Sequence, residues 1–409
     1  MPQLVKRSVP VNLRQSGNAD IQLLLSTRVR KSPFWHKSVE AGCRVASVYN
    51  KMYHPRAYFP PEEGGLMGEY EYLTKHVTMW NVSVERQIQI KGPDALKFTN
   101  LLVTRDLEKI CPVNQARYVI LCNEKGGIVN DPVLLRVAED EFWLSISDSD
   151  VLHWAQGVNY GLNYDVEINE IDVAPVQIQG PKSRPLMQKI CGKQVDELKY
   201  YKLWQTTING LDVIVSRTGF SAEVGYEIYL KDATKNADKL WNYMLKEGEE
   251  FQIRVIAPSH IRRIEAGILS YNQDMDIETN PFEANLDKHV KLTEGNDFIG
   301  REALEKIKKE GVKRRLVGLR IDGARAIHWY NPDYWPVLDK DGKKDLGYVT
   351  SAFYSPKLGC NIALAMMPVQ HTAVGTHLKV DFQEEGNPAD ATICEVPFFD
   401  PGKKIPAAS

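Results

Sequence analysis

Apolar and polar positions change their period several times along the chain, and each change marks an element. The run VSVERQIQIKG (82–92) alternates as a half-buried strand does, and PDALKFTNLLV (93–103) then sets Ala95, Phe98 and Leu102 on one helical stripe. ARYVILCNEKGGIVNDPVLLRV (116–137) holds two β-rich runs joined by Asn-Glu-Lys-Gly-Gly, which predicts a hairpin because glycine supplies the positive φ of a tight turn. Pro132 cannot donate to a ladder, so Asn130 and Asp131 are expected at a bulge or on an edge strand. The mixture repeats from 141 to 232: strand FWLSIS, helix SDVLHWAQGV, strand VAPVQIQG, helix SRPLMQKI, strands LDVIVSR and YEIYL.

Two helices follow. Ala237, Leu240, Trp241, Met244 and Leu245 fall at i, i+3, i+4, i+7, i+8 and predict an amphipathic helix ending near Gly248. APSHIRRIEAGILSY (257–271) offers Pro258 to a first turn and spaces Ile261, Ile264 and Ile268 on one face. A charged helix, FIGREALEKIKKEG, gives way to short β-like runs (RRLVGLRI, LGYVTSA, NIALAMM, THLKVDF, ATICEV) separated by Gly, Pro, Asn and Asp, which reads as an all-β module. The division expected is a solvated arm over 1–22, a mixed α+β region over 23–310 and a β module over 311–409.

Composition narrows the classes. At 43% hydrophobic and 25% charged residues, with 51 Lys+Arg against 53 Asp+Glu, the chain reads as globular and gives no electrostatic reason to bind nucleic acid or an anionic membrane. Its longest apolar stretch, about eight residues around Ile362 to Val369, is far short of the ~20 of a spanning helix. Six cysteines without C-x-x-C spacing and no secretory leader pattern point to a reducing cytoplasm. Nine histidines form no H-x-x-x-H or Cys/His cluster, so no metal site is expected, and the phosphate-loop, dinucleotide and nucleophile-elbow patterns are missing.

A few polar residues sit in apolar surroundings. Asp131 shares strand parity with Val129 and Val133, which places a carboxylate on an otherwise apolar face; a surface position at a bulge is the competing reading. In RTGFSAEVGYEIYL, Glu223, Gly225, Tyr226 and Glu227 form a turn feeding a strand, which either aims carboxylates into a cleft or is only a turn and a strand. Arg262 and Arg263 point about 100° apart on one helix, so only one need face solvent. The other pairs with Glu265 or Glu283, or holds a ligand.

Taken in order, WNVSVERQIQIKGPDALKF, GGIVNDPV, VQIQGPKS, TGFSAEVGYEIYL, RRIEAGILSYNQDMD, NPFEANL, DFIGREAL and VTSAFYSPKLGCNIALAM resemble the aminomethyltransferase family, the tetrahydrofolate-dependent T-protein of glycine cleavage and its relatives. The stretch TRVRKSPFWHKSVEAGCRVASVYNKMYHPRAYF adds a closer likeness to the dimethylsulfoniopropionate demethylases. The resemblance implies a three-part clover: two α+β subdomains around a central folate-binding hole, and a C-terminal β-barrel. It implies Asp131 beside folate N5, with Asn130 where the family's G-G-x-x-D-D has its first acid. Glu227 and Arg263 match the residues that hold the pterin, with Glu223 and Tyr226 close by and Tyr118 in the folate cleft.

The activity so implied is methyl transfer from dimethylsulfoniopropionate to tetrahydrofolate in a cytoplasmic enzyme, with a homo-oligomer possible. An N-methyl or aminomethyl donor is the alternative, and a non-catalytic folate-binding regulator is a third reading. For a zwitterionic donor, Tyr226 and Trp204 are the candidate aromatic faces, and Arg30 or Lys31 the candidate carboxylate partner. Ser259 and His260 stand where glycine-cleavage proteins carry Arg-Asp, and the aromatic insert IHWYNPDYWPV (327–337) belongs to neither subgroup's pattern.

Overall fold

The computed structural model describes residues 28–293, 297–323, 326–331, 333–382 and 388–408; the expected arm over 1–22 lies outside them. Two antiparallel-rich sheets and a barrel make up the frame. The five-stranded sheet runs, in spatial order, Glu167–Glu170, Gln87–Lys91, Glu141–Ser145, Val133–Ala138, Gln115–Tyr118. The six-stranded sheet runs Leu203–Ile208, Leu211–Ser216, Gly225–Lys231, Val173–Gln179, Thr78–Asn81, Arg254–Val255, with only the last pair parallel.

Each sheet covers its outer face with helices, as the periodicities require. Ala95, Phe98 and Leu102 of the Ala95–Leu102 helix join Ile88, Ile90, Phe142 and Leu144 in one core. Ala237, Leu240, Trp241 and Met244 of the Ala233–Gly248 helix join Val176, Ile178, Tyr226, Ile228 and Leu230 in another. The inner faces meet through Ala116, Leu135, Trp143, Leu203, Ile214 and Tyr229. The order is therefore helices, sheet, sheet, helices, and strand alternation decides which side chains look inward.

The barrel closes in the order Arg314–Asp322, Cys360–Pro368, Asp345–Ser355, Trp335–Leu338, His377–Val380, Ala389–Cys394. The chain enters it from the Arg301–Glu310 helix through Gly311. The fold is the α+β clover with a β-barrel that the resemblance implies.

One helix departs from its periodicity. His260–Glu265 is six residues long, capped by Ser259, whose Oγ accepts from the Arg262 amide, and it ends before Ile268. Gly267 adopts φ +64°, and a Cβ there would stand 2.5 Å from Val396 Cγ1, so the chain turns where the apolar spacing alone predicts another turn of helix. Pro258 precedes the cap instead of occupying the first turn.

Candidate functional site

A cavity of about 670 Å³ is walled by the five-stranded sheet, the barrel and loops that flank the six-stranded sheet, among them Tyr200, Tyr201, Gly219 and Phe220. Crossings between layers deliver its acids. The turn between Thr78–Asn81 of one sheet and Gln87–Lys91 of the other carries Glu85 to the wall, and the link between Ile128–Asn130 and Val133–Ala138 carries Asp131.

The hairpin at 123–127 makes the second crossing possible. The Asn123 carbonyl accepts from the Gly126 amide, Gly126 has φ +83°, and a Cβ on Gly127 would meet the Ile277 carbonyl oxygen at 1.9 Å. Asn130 then pins the neighbouring loop: its Nδ2 donates to the Ser147 carbonyl (3.0 Å) and Ser149 Oγ (2.8 Å), and its Oδ1 accepts from the Ser147 amide. An amide does here what a carboxylate could not, because it both donates and accepts.

Ser147 is thereby set against Asp131. Its Oγ donates to Asp131 Oδ1 at 2.6 Å, and Tyr118 Oη donates to Oδ2 at 3.0 Å. Burial pushes the Asp131 carboxyl up to about 7, against the lowering effect of these two hydrogen bonds. The result is a carboxyl group poised to take or give a proton near neutrality.

Tyr118 also packs edge-on against His289, with ring centroids 4.9 Å apart. Beyond it Lys288, Arg315 and Lys403 line the same cavity, and burial followed by the charge of Lys288 holds the Lys403 ammonium below its ordinary value. The cavity thus runs from acids to a basic rim.

Glu227 sits one layer behind the wall. Its Oε1 accepts from Gln177 Nε2 (2.6 Å), directly across the strand pair, and its Oε2 from Tyr229 Oη (2.9 Å) and Thr218 Oγ1. Burial raises its carboxyl, and burial with the charge of Glu227 raises that of Glu85 well above the usual range. Burial and their mutual repulsion thus favour the neutral form of at least one of the two.

The other expected contacts are corrected by geometry. Tyr226 neighbours Glu227 on an extended strand and so faces the opposite side, fully buried in the helix-side core with Arg217 over its ring. Trp204 packs on that same core from the far edge of the sheet. Arg30 is half outside, paired with Glu170 at 2.8 Å, and Lys31 is exposed; neither lines the cavity.

Both arginines of the short helix are buried, which the expectation of one solvent-facing partner missed. Arg262 pairs with Glu223 (2.8 Å) and approaches Glu265 (3.4 Å), so Glu223 is engaged away from the cavity wall. Arg263 binds Asp274, the Ile268 carbonyl (3.2 Å), Gln273 (3.0 Å) and Ser351 of the barrel (2.7 Å). It ties helix to barrel and does not line the cavity.

Sequence reasoning passed over several wall residues: Glu85, Tyr49, His54, Arg56 and Tyr201. None carried a local signal: even Glu85 falls on the polar parity of VSVERQI, with Ser83 and Gln87. Among the described residues no group of three or more His, Cys, Asp or Glu side chains is placed to hold a metal ion, and no helix is long and apolar enough to cross a membrane.

The frame has known counterparts. Residues 34–294 match the model of the GCVT N-terminal domain, and residues 314–400 that of the glycine cleavage T-protein C-terminal barrel domain. The chain belongs to the glycine cleavage T-protein family. Within that family it is 35% identical over 356 residues to the dimethylsulfoniopropionate demethylase of Ruegeria pomeroyi, covering 87% of this chain and 94% of that protein. It is 32% identical over 378 residues to the aminomethyltransferase of Thermotoga maritima, covering 91% and 98%. The solved glycine cleavage system aminomethyltransferase T of Bartonella henselae superposes with a TM-score of 0.78 over 91% of this chain and 98% of that one, at 22% identity. That likeness speaks for the T-protein fold.

Proposed function

We propose that the chain is a demethylase that moves a methyl group from the sulfonium of dimethylsulfoniopropionate to N5 of tetrahydrofolate, leaving methylmercaptopropionate and 5-methyltetrahydrofolate. Membership of the T-protein family makes it an enzyme of one-carbon transfer that uses tetrahydrofolate as acceptor. The observation that carries the reading is Asp131: a half-buried carboxyl poised near neutrality, held by Ser147 and Tyr118 on the wall of the central cavity.

The residues present suit a reduced folate. Glu85, with Glu227 behind it, offers carboxyl oxygens to the pterin's amide N–H and amino group. Tyr118 and Tyr201 give aromatic walls, and Lys288, Arg315 and Lys403 suit the glutamate carboxylates.

The chemistry asked of the protein is modest. A sulfonium is already an activated leaving group, so the C–S bond breaks with its electron pair going to sulfur as the N5 lone pair takes the methyl. Asp131 takes the N5 proton as the new C–N bond forms. The walls of the half-open cavity limit how much water reaches the methyl group.

An aminomethyl donor is the second reading, supported by the near full-length match to aminomethyltransferases. Ser259 and His260, standing in place of the Arg-Asp expected of glycine-cleavage proteins, favour the first. Incubating the protein with tetrahydrofolate and a panel of donors, and following 5-methyltetrahydrofolate by mass, separates the two.

A further inference from the structure

We propose that the wall formed by His54, Arg56 and His260 docks the carboxylate of the methyl donor, so that this enzyme selects acids. The inference rests on the methyl-transfer reading and adds the residue that recognises the donor's far end.

Arg56 lies on the Met52–Ala57 strand of a hairpin outside both main sheets and reaches the same cavity as Asp131. Its Nε donates to Ser47 Oγ (2.7 Å), one Nη donates to His260 Nε2 (2.9 Å), and the Tyr330 hydroxyl takes a further hydrogen bond. All three partners are neutral. Glu69, the acid of this region, is occupied by the amides of Tyr58, Phe59 and Ala257. Among the described residues, then, no carboxylate lies within ion-pair distance of the half-buried Arg56, whereas Arg86, Arg262 and Arg263 pair with Glu170, Glu223 and Asp274; the buried Arg217 instead satisfies itself on the Pro406 and Ala408 carbonyls.

The histidines sharpen the case. His260 stands between two guanidiniums, with Nε2 toward Arg56 and Nδ1 3.4 Å from Arg263. A neutral imidazole has one lone pair in its plane, so it can serve one of the two donors and cannot neutralise either. His54 is buried on the same wall with Nδ1 lacking any partner. A cavity wall with a cation and an orphaned imidazole nitrogen is built for an anion with two oxygens, and a guanidinium fork matches a carboxylate best.

The charges on the wall suit one orientation of the donor. Tyr49 stacks at a tilt against His54, 5.4 Å between ring centroids, and lines the same cavity as Arg56, Glu85 and Asp131, whose charges act on it together with that of Asp148. A ligand with its carboxylate on Arg56 therefore directs its other end past the Tyr49 ring toward Asp131. For a zwitterion that end is the cation carrying the transferable methyl, which an aromatic face and two acids favour.

The test compares wild type, Arg56→Lys and Arg56→Ala with three probes: dimethylsulfoniopropionate, its carboxamide, and methylmercaptopropionate as a carboxylate without the cation. Tetrahydrofolate affinity, measured by calorimetry, serves as the control for folding. For Arg56→Ala the KM for dimethylsulfoniopropionate is expected to rise by about ten- to a hundred-fold, the range of a charged hydrogen-bonding partner. Arg56→Lys should recover part of that loss, folate affinity should hold, and the carboxamide should be equally poor with all three proteins.

Methylmercaptopropionate should bind wild type and fail with Arg56→Ala even if dimethylsulfoniopropionate proves not to be the donor; in that event the donor assignment falls and the carboxylate site stands. Carboxamide accepted as well as the acid, or neither carboxylate probe bound by wild type, overturns the proposal. So does a loss of tetrahydrofolate affinity in Arg56→Ala with donor KM unchanged, which assigns the wall to folate's own carboxylates.

Discussion

Asp131 gives the sharpest quantitative expectation. With its carboxyl raised to about 7, roughly a tenth of the molecules hold it ionised at pH 6, half at pH 7 and nine tenths at pH 8. If its carboxylate accepts the N5 proton, single-turnover methyl transfer should climb about tenfold per pH unit below pH 7 and level off above it. The direction follows from a raised acid: the active, ionised form is lost as pH falls through the folded-state value. Asp131→Asn keeps the shape and removes the base, so the rate should fall by about 10²–10⁴ and the pH limb should vanish.

Ser147→Ala offers an independent check. Its hydroxyl holds the Asp131 charge down through a 2.6 Å hydrogen bond, and losing a charged hydrogen bond of ~1.5–3 kcal/mol should move the limb upward by about one to two pH units. The assay is rapid quench with mass detection of 5-methyltetrahydrofolate between pH 5.5 and 9. A limb that persists unchanged in Asp131→Asn, or that moves downward in Ser147→Ala, refutes the role of Asp131 as the base.

Three further outcomes are expected. Glu85→Gln should weaken tetrahydrofolate binding by about 1–3 kcal/mol, read by calorimetry, since it removes an acceptor for the pterin edge; unchanged affinity moves the pterin elsewhere. Arg263→Ala strands the fully buried Asp274 that also accepts from Thr350 and Ser351, and chemical denaturation should show a loss of about 3–5 kcal/mol; a cost below about 1 kcal/mol denies it the helix-to-barrel tie. Exhaustive chelation should leave turnover intact, whereas activity lost with EDTA and restored by zinc would bring in a metal for which the described residues offer no cluster.

Local pattern reached the fold and singled out Asp131, one of the residues that line the cavity, for identifiable reasons. Alternation and helical spacing report which face of an element is buried, so the sheets and their covering helices were legible, as was the unusual carboxylate of Asp131 among valines. Alternation also contains a warning that was available from the start: Tyr226 and Glu227 are adjacent on one strand, so both could not face one cavity. The arginine pair failed for the opposite reason. Two side chains about 100° apart leave one in solvent on an ordinary surface helix, but the short His260–Glu265 helix is enclosed on every side and buries both.

What no local pattern carries is convergence. Arg56 and His260 are 204 positions apart in the chain and meet at 2.9 Å, and Glu85 acquires its neighbour Glu227 only when the two sheets stack. The turn at Gly267 likewise packs against Val396, contributed by the far end of the chain.

The central claim is that this cavity passes a methyl group from a sulfonium acid to folate nitrogen. Purified protein should be incubated with tetrahydrofolate and dimethylsulfoniopropionate bearing deuterated S-methyl groups, with both products followed by mass. The expected result is one trideuteromethyl group on tetrahydrofolate for each methylmercaptopropionate formed, at a rate far above that with glycine betaine or dimethylglycine. Methylmercaptopropionate without labelled folate, or labelled folate formed faster from either N-methyl donor, contradicts it.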